Sequence, residues 1–429
     1  VSRRIRTEDD YLLAGRRMGP LLAAGTIFAT WFGAETCVGA AGDVYANGLS
    51  LATAEPFAYG VCIVVMGAVF ARGRWRRRIT TLADLFRERY SPRVERLAAV
   101  VMIPTSLLWA AAQVRAFGQV LAATSDLEIG AAVSLAAALA ITYTAFGGLL
   151  ADAITDVLQG TMLLVGLAAI AFGVVHGVGS AGALDLVDAA RIEALPQGMG
   201  ALDLAEAWAV PILGSVVAQE LVARVCSARS ANVARGSALV AGGFYVLVGL
   251  VPVTLGLLGA GLVPGLEDPE EILPALARAH LGPVLFVLFA GALVSAILST
   301  VDSTLLVCSS LLSHNVLLPL LPEKTERAKV RLARAGVVGF GLVAWVLALH
   351  APGVHALVEE ASSFGSSGIL VIVVMGLFTR TGGAASATGA LLLGLAAYLG
   401  ATAAGWPHPY LTSVAGAVAG YALPLVRRA

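Results

Sequence analysis

Apolar stretches of about 20 residues recur along the whole chain, and they limit it to a helical membrane protein. Charged residues make up only 13% of the 429 residues, well below the share found in soluble domains. Twelve stretches are long enough to cross a bilayer, and we number them spans 1 to 12 in chain order: 20–46, 51–72, 95–119, 128–146, 150–176, 204–223, 232–262, 282–313, 328–349, 355–378, 383–404 and 408–426. The sequence therefore predicts an all-α polytopic membrane protein in contact with the lipid bilayer.

Lysine and arginine are concentrated in alternate connections between these spans. Of the 28 basic residues, 25 fall on one side of the predicted membrane, in the segments 1–19, 72–96, 224–235, 324–334, 380 and 427–428. The positive-inside rule makes that side cytoplasmic, so we expect both ends of the given chain in the cytoplasm and the protein in the cell (inner) membrane. The arginines of 72–96 are interpreted as topology determinants beside an interfacial helix, with no nucleic-acid partner.

Two connections on the opposite side are long. Residues 177–203 are small and polar, whereas residues 263–281 predict a short amphipathic helix. This helix could be a lid over the outer mouth or a solvated surface loop, and the sequence leaves both open.

Span 8 carries a stripe of small and hydroxyl-bearing side chains. Ala296, Ser299 and Ser303 share one helical face, with Thr300 and Asp302 one residue to either side. Lipid offers these groups no partners, so the stripe must face protein, water or an ion. Hydroxyls, carboxylates and free carbonyls are the hard ligands that a small alkali cation prefers. The hydroxyls alone could instead bond back to carbonyls of their own helix.

Spans 1 and 6 carry helix-breaking signals at corresponding places. Span 1 has four glycines and a mid-depth acid, Glu35, while Pro211 and Gly214 interrupt span 6. Discontinuous helices at the midplane are typical of transporters built from two inverted repeats. We therefore predict a cytoplasmic segment, two five-helix repeats and two further C-terminal helices, with the boundaries 1–19, 20–176, 204–378 and 383–426.

Other polar residues lie inside the predicted spans. Glu55 precedes a proline in span 2, and Gln113 lies in span 3. In span 5, Asp152 is near the cytoplasmic edge, where water could solvate it, while Asp156 is one turn deeper and could face the span 8 stripe. The small residues 362–368 of span 10 predict close packing or a gating hinge.

At this point the chain resembles the sodium:solute symporter family, which has a LeuT-like fold. The resemblance rests on DYLLAGRRMGP (10–20), YTAFGGLLADAITDVLQG (143–160) and VSAILSTVDSTLLVCSSLLSHNV (294–316). It covers nearly the whole chain. Many members carry a further span before the first core helix, and this chain begins just after that point.

The resemblance implies where sodium would bind. The first site lies between spans 1 and 8, where the matching positions are Ala29, Phe32, Ala296, Ser299 and Thr300. Some members hold a second cation, and the matching positions here are Asp156, Ser299, Asp302 and Ser303. Because Asp302 stands where those members have a serine, a second sodium, a proton or nothing could occupy that position.

The resemblance also implies where a solute would bind. The resemblance matches Thr36 and Glu55 to solute contacts of the sugar-transporting members, and the polar residues Glu35, Gln113 and Gln219 are further candidate substrate-binding residues. Sugar-transporting members have an asparagine and an aromatic gate in span 6, where this chain has Ala218 and Glu220. An amino acid such as proline, or another small amino- or carboxylate-bearing solute, is therefore expected, with a sugar or vitamin as the alternative.

The predicted function is sodium-coupled import of a small organic solute by alternating access, with no enzymatic activity. A proton-coupled carrier that uses Asp156 and Asp302 is the first alternative. A channel or sensor of the same fold is the second, and the broken helices favour a carrier over an open pore. No nucleophile–base or metal-ligand constellation indicates an enzyme. The sequence does not indicate the oligomeric state.

Overall fold

A computed structural model describes residues 6–33, 35–125, 127–179, 182, 186–321, 325–351 and 354–426 of the chain. Ten of the described helices are long and apolar enough to cross a membrane. They are spans 2 to 5 and 7 to 12, with the bounds Phe57–Arg76, Pro92–Ala122, Ile129–Phe146, Gly148–Gly177, Ala231–Leu262, Pro283–Leu320, Glu326–His350, Glu360–Phe378, Ala384–Ala403 and Pro409–Val426. Two bent helix pairs supply spans 1 and 6, so the predicted order of twelve spans is recovered.

Span 1 is interrupted close to where the sequence predicted. Its first helix, Pro20–Trp31, begins with a proline, which suits the first turn of a helix. The chain resumes as Thr36–Asn47, bent by 53° from the first half. At the break, the amide of Gly33 donates to the carbonyl of Trp31 at 3.0 Å. An uninterrupted helix would instead pair that amide with the carbonyl of Ala29.

Span 6 is interrupted in the same manner. The helix Ala201–Ala209 passes into a wider turn at Val210–Gly214, and after an extended residue at Ala218 the helix Gln219–Ser227 begins. The two halves are bent by 42°. Span 1 packs against spans 5 and 7, and span 6 packs against the equivalent spans 10 and 2. These packing pairs are those expected of two inverted five-helix repeats.

Span 10 contains a third interruption. Its helices Val354–Ser363 and Ser366–Phe378 are separated by Phe364 and Gly365, whose φ of 68° is in the left-handed region. The hydroxyl of Thr105 in span 3 donates to the carbonyl of Phe364 at 2.8 Å. Protein thus supplies the hydrogen bond that the broken helix lacks, as required within a membrane.

Short helices cover the two ends of the bundle. The end that carries the helices Glu8–Leu13 and Leu82–Arg89 is called the N-terminal face. The opposite face carries the helix Ile272–His280, which confirms the predicted amphipathic helix. Its apolar side is buried, and a Cβ on Gly42 of span 1 would lie 2.9 Å from the carbonyl oxygen of Pro269. Only a glycine allows span 1 to approach so closely.

The outer surface of the bundle is apolar. Val165, Phe172 and Leu247 are 65%, 72% and 64% exposed, respectively. Exposing so much apolar surface to water is unfavourable, whereas in a bilayer these side chains contact acyl chains. The buried polar side chains of the spans lie inside the bundle, where the candidate site is.

Candidate functional site

Spans 1 and 8 meet at the break in span 1. The hydroxyl of Thr300 in span 8 lies 3.1 Å from the carbonyl oxygen of Thr30 and 3.5 Å from that of Ala296. A Cβ on Gly33 would lie 3.1 Å from the Thr300 hydroxyl and 3.9 Å from the Ala296 oxygen, so a side chain there would fill the space between the two helices. The two spans therefore converge within the bundle with oxygen atoms between them.

The sequence-predicted carbonyls of span 1 flank this break. Ala29 precedes it and lies against span 5, where a Cβ on Gly160 would be 3.4 Å from the Ala29 side chain. The Gly33 amide has turned away from the Ala29 carbonyl, and Phe32 ends the helix. Carbonyls at an interruption are released from the helical ladder and become available to a ligand.

Ser299 connects span 8 to span 5. Its hydroxyl donates to the carboxylate of Asp156, which also accepts from the hydroxyl of Thr26 in span 1. All three side chains are buried. The structure therefore brings Ser299 and Asp156 together, as the helical periodicity predicted, and adds Thr26, which the sequence analysis had not singled out.

Arg224 lies at the centre of this polar cluster with 0% of its surface exposed. Its guanidinium lies 2.9 Å from the carboxylate of Asp152 and 3.2 Å from that of Asp156, and it donates to the hydroxyls of Ser303 and Thr26. Two expectations are corrected here. Arg224, counted among the basic residues of a cytoplasmic connection, is buried, and Asp152, expected to be solvated near the membrane edge, is buried beside it; the opposite charges offset each other in the interior.

Asp302 points away from this cluster. Its carboxylate accepts from the hydroxyl of Thr144 in span 4, and the Tyr11 hydroxyl donates to the Thr144 carbonyl at 3.4 Å. The other carboxylate oxygen of Asp302 is buried and has no hydrogen-bond partner in the part of the chain that the structure describes. Of the four residues predicted for a second cation, the structure thus groups Asp156, Ser299 and Ser303 and places Asp302 on a neighbouring face.

A second polar group joins spans 1, 2 and 7. The Thr36 hydroxyl and the Tyr245 hydroxyl each donate to the same carboxylate oxygen of Glu55 and lie within hydrogen-bonding distance of each other. The structure therefore brings together Thr36 and Glu55, two of the predicted substrate-binding residues. It adds Tyr245, which the sequence analysis missed. The side chain of Glu35 lies outside the described residues.

The remaining two predicted substrate-binding residues lie apart. The side-chain oxygen of Gln113 is buried, has no hydrogen-bond partner among the described residues, and would be 4.0 Å from a Cβ on Gly33. It therefore faces the junction of spans 1 and 8. Gln219 lines a small cavity between spans 3, 6 and 10. Its side-chain oxygen accepts from the amide of Leu82 at 2.7 Å, so it also anchors the helix Leu82–Arg89.

A small cavity lies where the breaks of spans 6 and 10 face span 3. Its volume is about 30 Å³, and its lining includes Ser106, Trp109, Gly214, Glu220, Gly365 and Ser366. Next to it, the ring of Trp109 meets that of Trp31 edge to face at 4.8 Å between centroids, and Trp31 meets Tyr59 at 5.3 Å. We call these three side chains the aromatic cluster. No sequence motif marked them, because aromatic residues in spans most often pack in the core.

Comparison with known proteins identifies sequence relatives over most of the chain. The family model of the sodium:solute symporter family matches residues 11–396. The human high-affinity choline transporter 1 is 28% identical over 368 residues, which cover 81% of this chain and 63% of that protein. The Escherichia coli sodium/pantothenate symporter is 27% identical over 409 residues, which cover 90% of this chain and 83% of that protein. The chain thus spans less than two thirds of the length of its choline-transporter relatives.

Two solved structures show the fold. A Na⁺-coupled sialic acid symporter superposes with a TM-score of 0.86 at 18% identity, covering 99% of this chain and 93% of that one. A nucleobase-cation-symport-1 family transporter gives 0.66 at 17% identity, covering 97% and 93%. The fold is LeuT-like, with two inverted five-helix repeats, discontinuous spans 1 and 6, and two further C-terminal helices. From the extent of the family match and the shared fold, this chain belongs to the sodium:solute symporter family.

Proposed function

We propose that this chain imports a small organic solute together with sodium by alternating access. The observation that carries the proposal is the convergence of oxygen atoms from spans 1 and 8 at the break in span 1. We assign the sodium ion to the carbonyls of Ala29, Phe32 and Ala296 and to the hydroxyls of Ser299 and Thr300. Membership of a family named for sodium and solute symport supports the same reading.

Coupling follows from where this sodium would bind. Span 1 belongs to the first repeat and span 8 to the second, so an ion between them stabilises the arrangement in which both contribute ligands. A membrane potential of about 100 mV is worth about 2.3 kcal/mol per charge. A tenfold sodium gradient adds about 1.4 kcal/mol, so one sodium ion could support a solute gradient of roughly 500-fold.

The membrane orientation is also part of the proposal. We place the N-terminal face, with the basic residues of 72–96 and 324–334, in the cytoplasm of the cell (inner) membrane. Arg74 and Arg224 are buried and do not contribute to this bias. The remaining basic residues keep its direction.

The relatives do not agree on a single class of solute. By their names, the relatives carry choline or pantothenate, an organic cation and an anion. The predicted amino acid or carboxylate-bearing solute is a third class. Thr36, Glu55 and Gln113 are candidate solute contacts near the break in span 1.

Proton coupling is a second candidate function, favoured by one specific observation. Asp302 is buried beside Thr144, and one of its carboxylate oxygens has no hydrogen-bond partner among the described residues. Arg224 supplies one positive charge to a region that holds Asp152, Asp156 and Asp302. A proton on Asp302 would reduce the remaining negative charge.

Uptake into proteoliposomes distinguishes these two functions. We expect accumulation of choline, proline or pantothenate to require an inward sodium gradient and to persist without a pH gradient. Full uptake in sodium-free potassium buffer, driven by an inward proton gradient and abolished in Asp302→Asn, would transfer the coupling role to the proton.

A further inference from the structure

Glu220 is a buried carboxyl group on the wall of the cavity. It lies in the first turn of the helix Gln219–Ser227, directly after the break in span 6, and is 4% exposed. The Ser106 side chain interacts with the carboxyl group, while Oε1 has no hydrogen-bond partner within the described residues. One oxygen of a potentially charged group is therefore left without a protein donor.

Glu220 also lacks a cation of its own. Among the described residues, no lysine, arginine or histidine forms an ion pair with it. Arg224, one turn further along the helix, is paired with Asp152 and Asp156. A carboxyl group in such a position exists either as the neutral acid or as an anion with a counter-cation brought from outside the protein.

Aromatic side chains line and adjoin the cavity that contains Glu220. Trp109 lines the cavity, and Trp31 and Tyr59 extend from it as the aromatic cluster. The indole N–H groups of Trp31 and Trp109 have no acceptor in the described part of the chain. Indole rings attract organic cations through their π-electron faces, most strongly where water is excluded.

Any formal charge on the described lining of the cavity is negative. The described lining contains Glu220 and Trp109 and includes no lysine or arginine. A solute carboxylate would find no positive partner there and would be repelled by Glu220 in its ionised form. An ammonium group would find both a carboxylate and aromatic rings.

We propose that Glu220 and the aromatic cluster bind the positively charged group of the solute, so that the transported solute is an organic cation. This inference rests on the proposed symport function and narrows its substrate class. It replaces the expectation of a carboxylate-bearing solute. At about 30 Å³ the cavity holds no organic molecule, so binding requires movement of the flanking breaks in spans 6 and 10.

Binding to the purified full chain tests the proposal. Thermal shift and radioligand binding are measured in sodium and in potassium buffer with choline, the zwitterion glycine betaine and the anion pantothenate as probes. We expect choline to bind in a sodium-dependent manner and pantothenate to bind more weakly. Glu220→Gln should weaken choline binding about 30-fold or more, and Glu220→Asp should weaken it less. Stabilisation by sodium alone should not change.

Glu206 provides a matched control on the same span. Its carboxylate accepts from the amides of Tyr410 and Leu411 and does not line the cavity. Glu206→Gln should therefore leave the choice among the three probes unchanged. If Glu220→Gln fails to fold, Trp109→Leu serves instead and should weaken choline binding about fivefold or more.

Two results would overturn the inference. Unchanged choline affinity in Glu220→Gln and in Trp109→Leu would remove these residues from the site. Sodium-dependent binding that prefers pantothenate would reject the organic cation while leaving sodium symport intact. Choline binding without any response to sodium would instead reject the proposed function and retain the assignment of Glu220.

Discussion

Replacing Thr300 by valine tests the sodium site most directly, because valine keeps the shape of the side chain and removes only the hydroxyl. Thr304 is a matched control one turn along span 8. It is also buried, but its hydroxyl bonds to the carbonyls of Thr300 and Val301 in its own helix. The Thr300 hydroxyl instead reaches the carbonyl of Thr30 in span 1 at 3.1 Å.

The expected free-energy losses differ between Thr300→Val and Thr304→Val. Each loses a neutral hydrogen bond, worth about 1 kcal/mol of stability. Only Thr300→Val also loses a proposed sodium ligand. We scale the loss of this sodium–oxygen contact by a hydrogen bond to a charged group, about 2 kcal/mol, which corresponds to roughly a 30-fold loss of sodium affinity.

Sodium titrations of purified protein, followed by thermal shift and by uptake in proteoliposomes, provide the assay. We expect Thr300→Val to raise the half-saturating sodium concentration about 30-fold, with Thr304→Val within about twofold of the wild type. Equal sodium affinity in the two variants would refute the assignment of Thr300 as a ligand.

Three further predictions concern other parts of the site. Arg224→Gln leaves Asp152 and Asp156 buried without a counter-charge, so the free energy of unfolding should fall by about 3–5 kcal/mol. Denaturation in detergent measures this loss. If adding Asp152→Asn restores stability, the loss comes from the broken ion pair. Ser299→Ala should weaken sodium dependence of uptake more than Glu55→Gln, and the reverse order would misplace the cation. Gly365→Ala and Gly405→Ala each place a side chain at positive φ, which costs about 1–2 kcal/mol. Only the new Cβ at position 365 meets a neighbour, the Val101 side chain at 2.6 Å, so the melting temperature of Gly365→Ala should fall further than that of Gly405→Ala.

The sequence was informative where lipid restricts the options. Unpaired polar groups are excluded from the bilayer, so the glycines of span 1 and the residues Pro211 and Gly214 marked real interruptions. Helical periodicity likewise placed Ser299 toward Asp156. The interruptions and the orientation of Ser299 could each be predicted from one helix and the lipid around it.

The positions of Asp302 and Arg224 depended on neighbouring helices. Successive residues of a helix are about 100° apart, so Asp302 faces span 4 although Ser303, its neighbour, faces Arg224. Arg224 lies one residue beyond the predicted end of span 6. Counting charges assigned it to the surface, whereas the bend in span 6 carries it inside, where two aspartates stabilise it.

The helix Glu8–Leu13 constrains the order in which the protein can assemble. Its Tyr11 hydroxyl bonds to a residue 133 positions later, Glu8 pairs with His314, 306 positions later, and the Glu8 amide donates to Glu326, 318 positions later. This helix therefore finds these partners only after spans 4, 8 and 9 have been synthesised. Contacts between residues so far apart in sequence form late in folding, so this helix docks onto spans that are made after it.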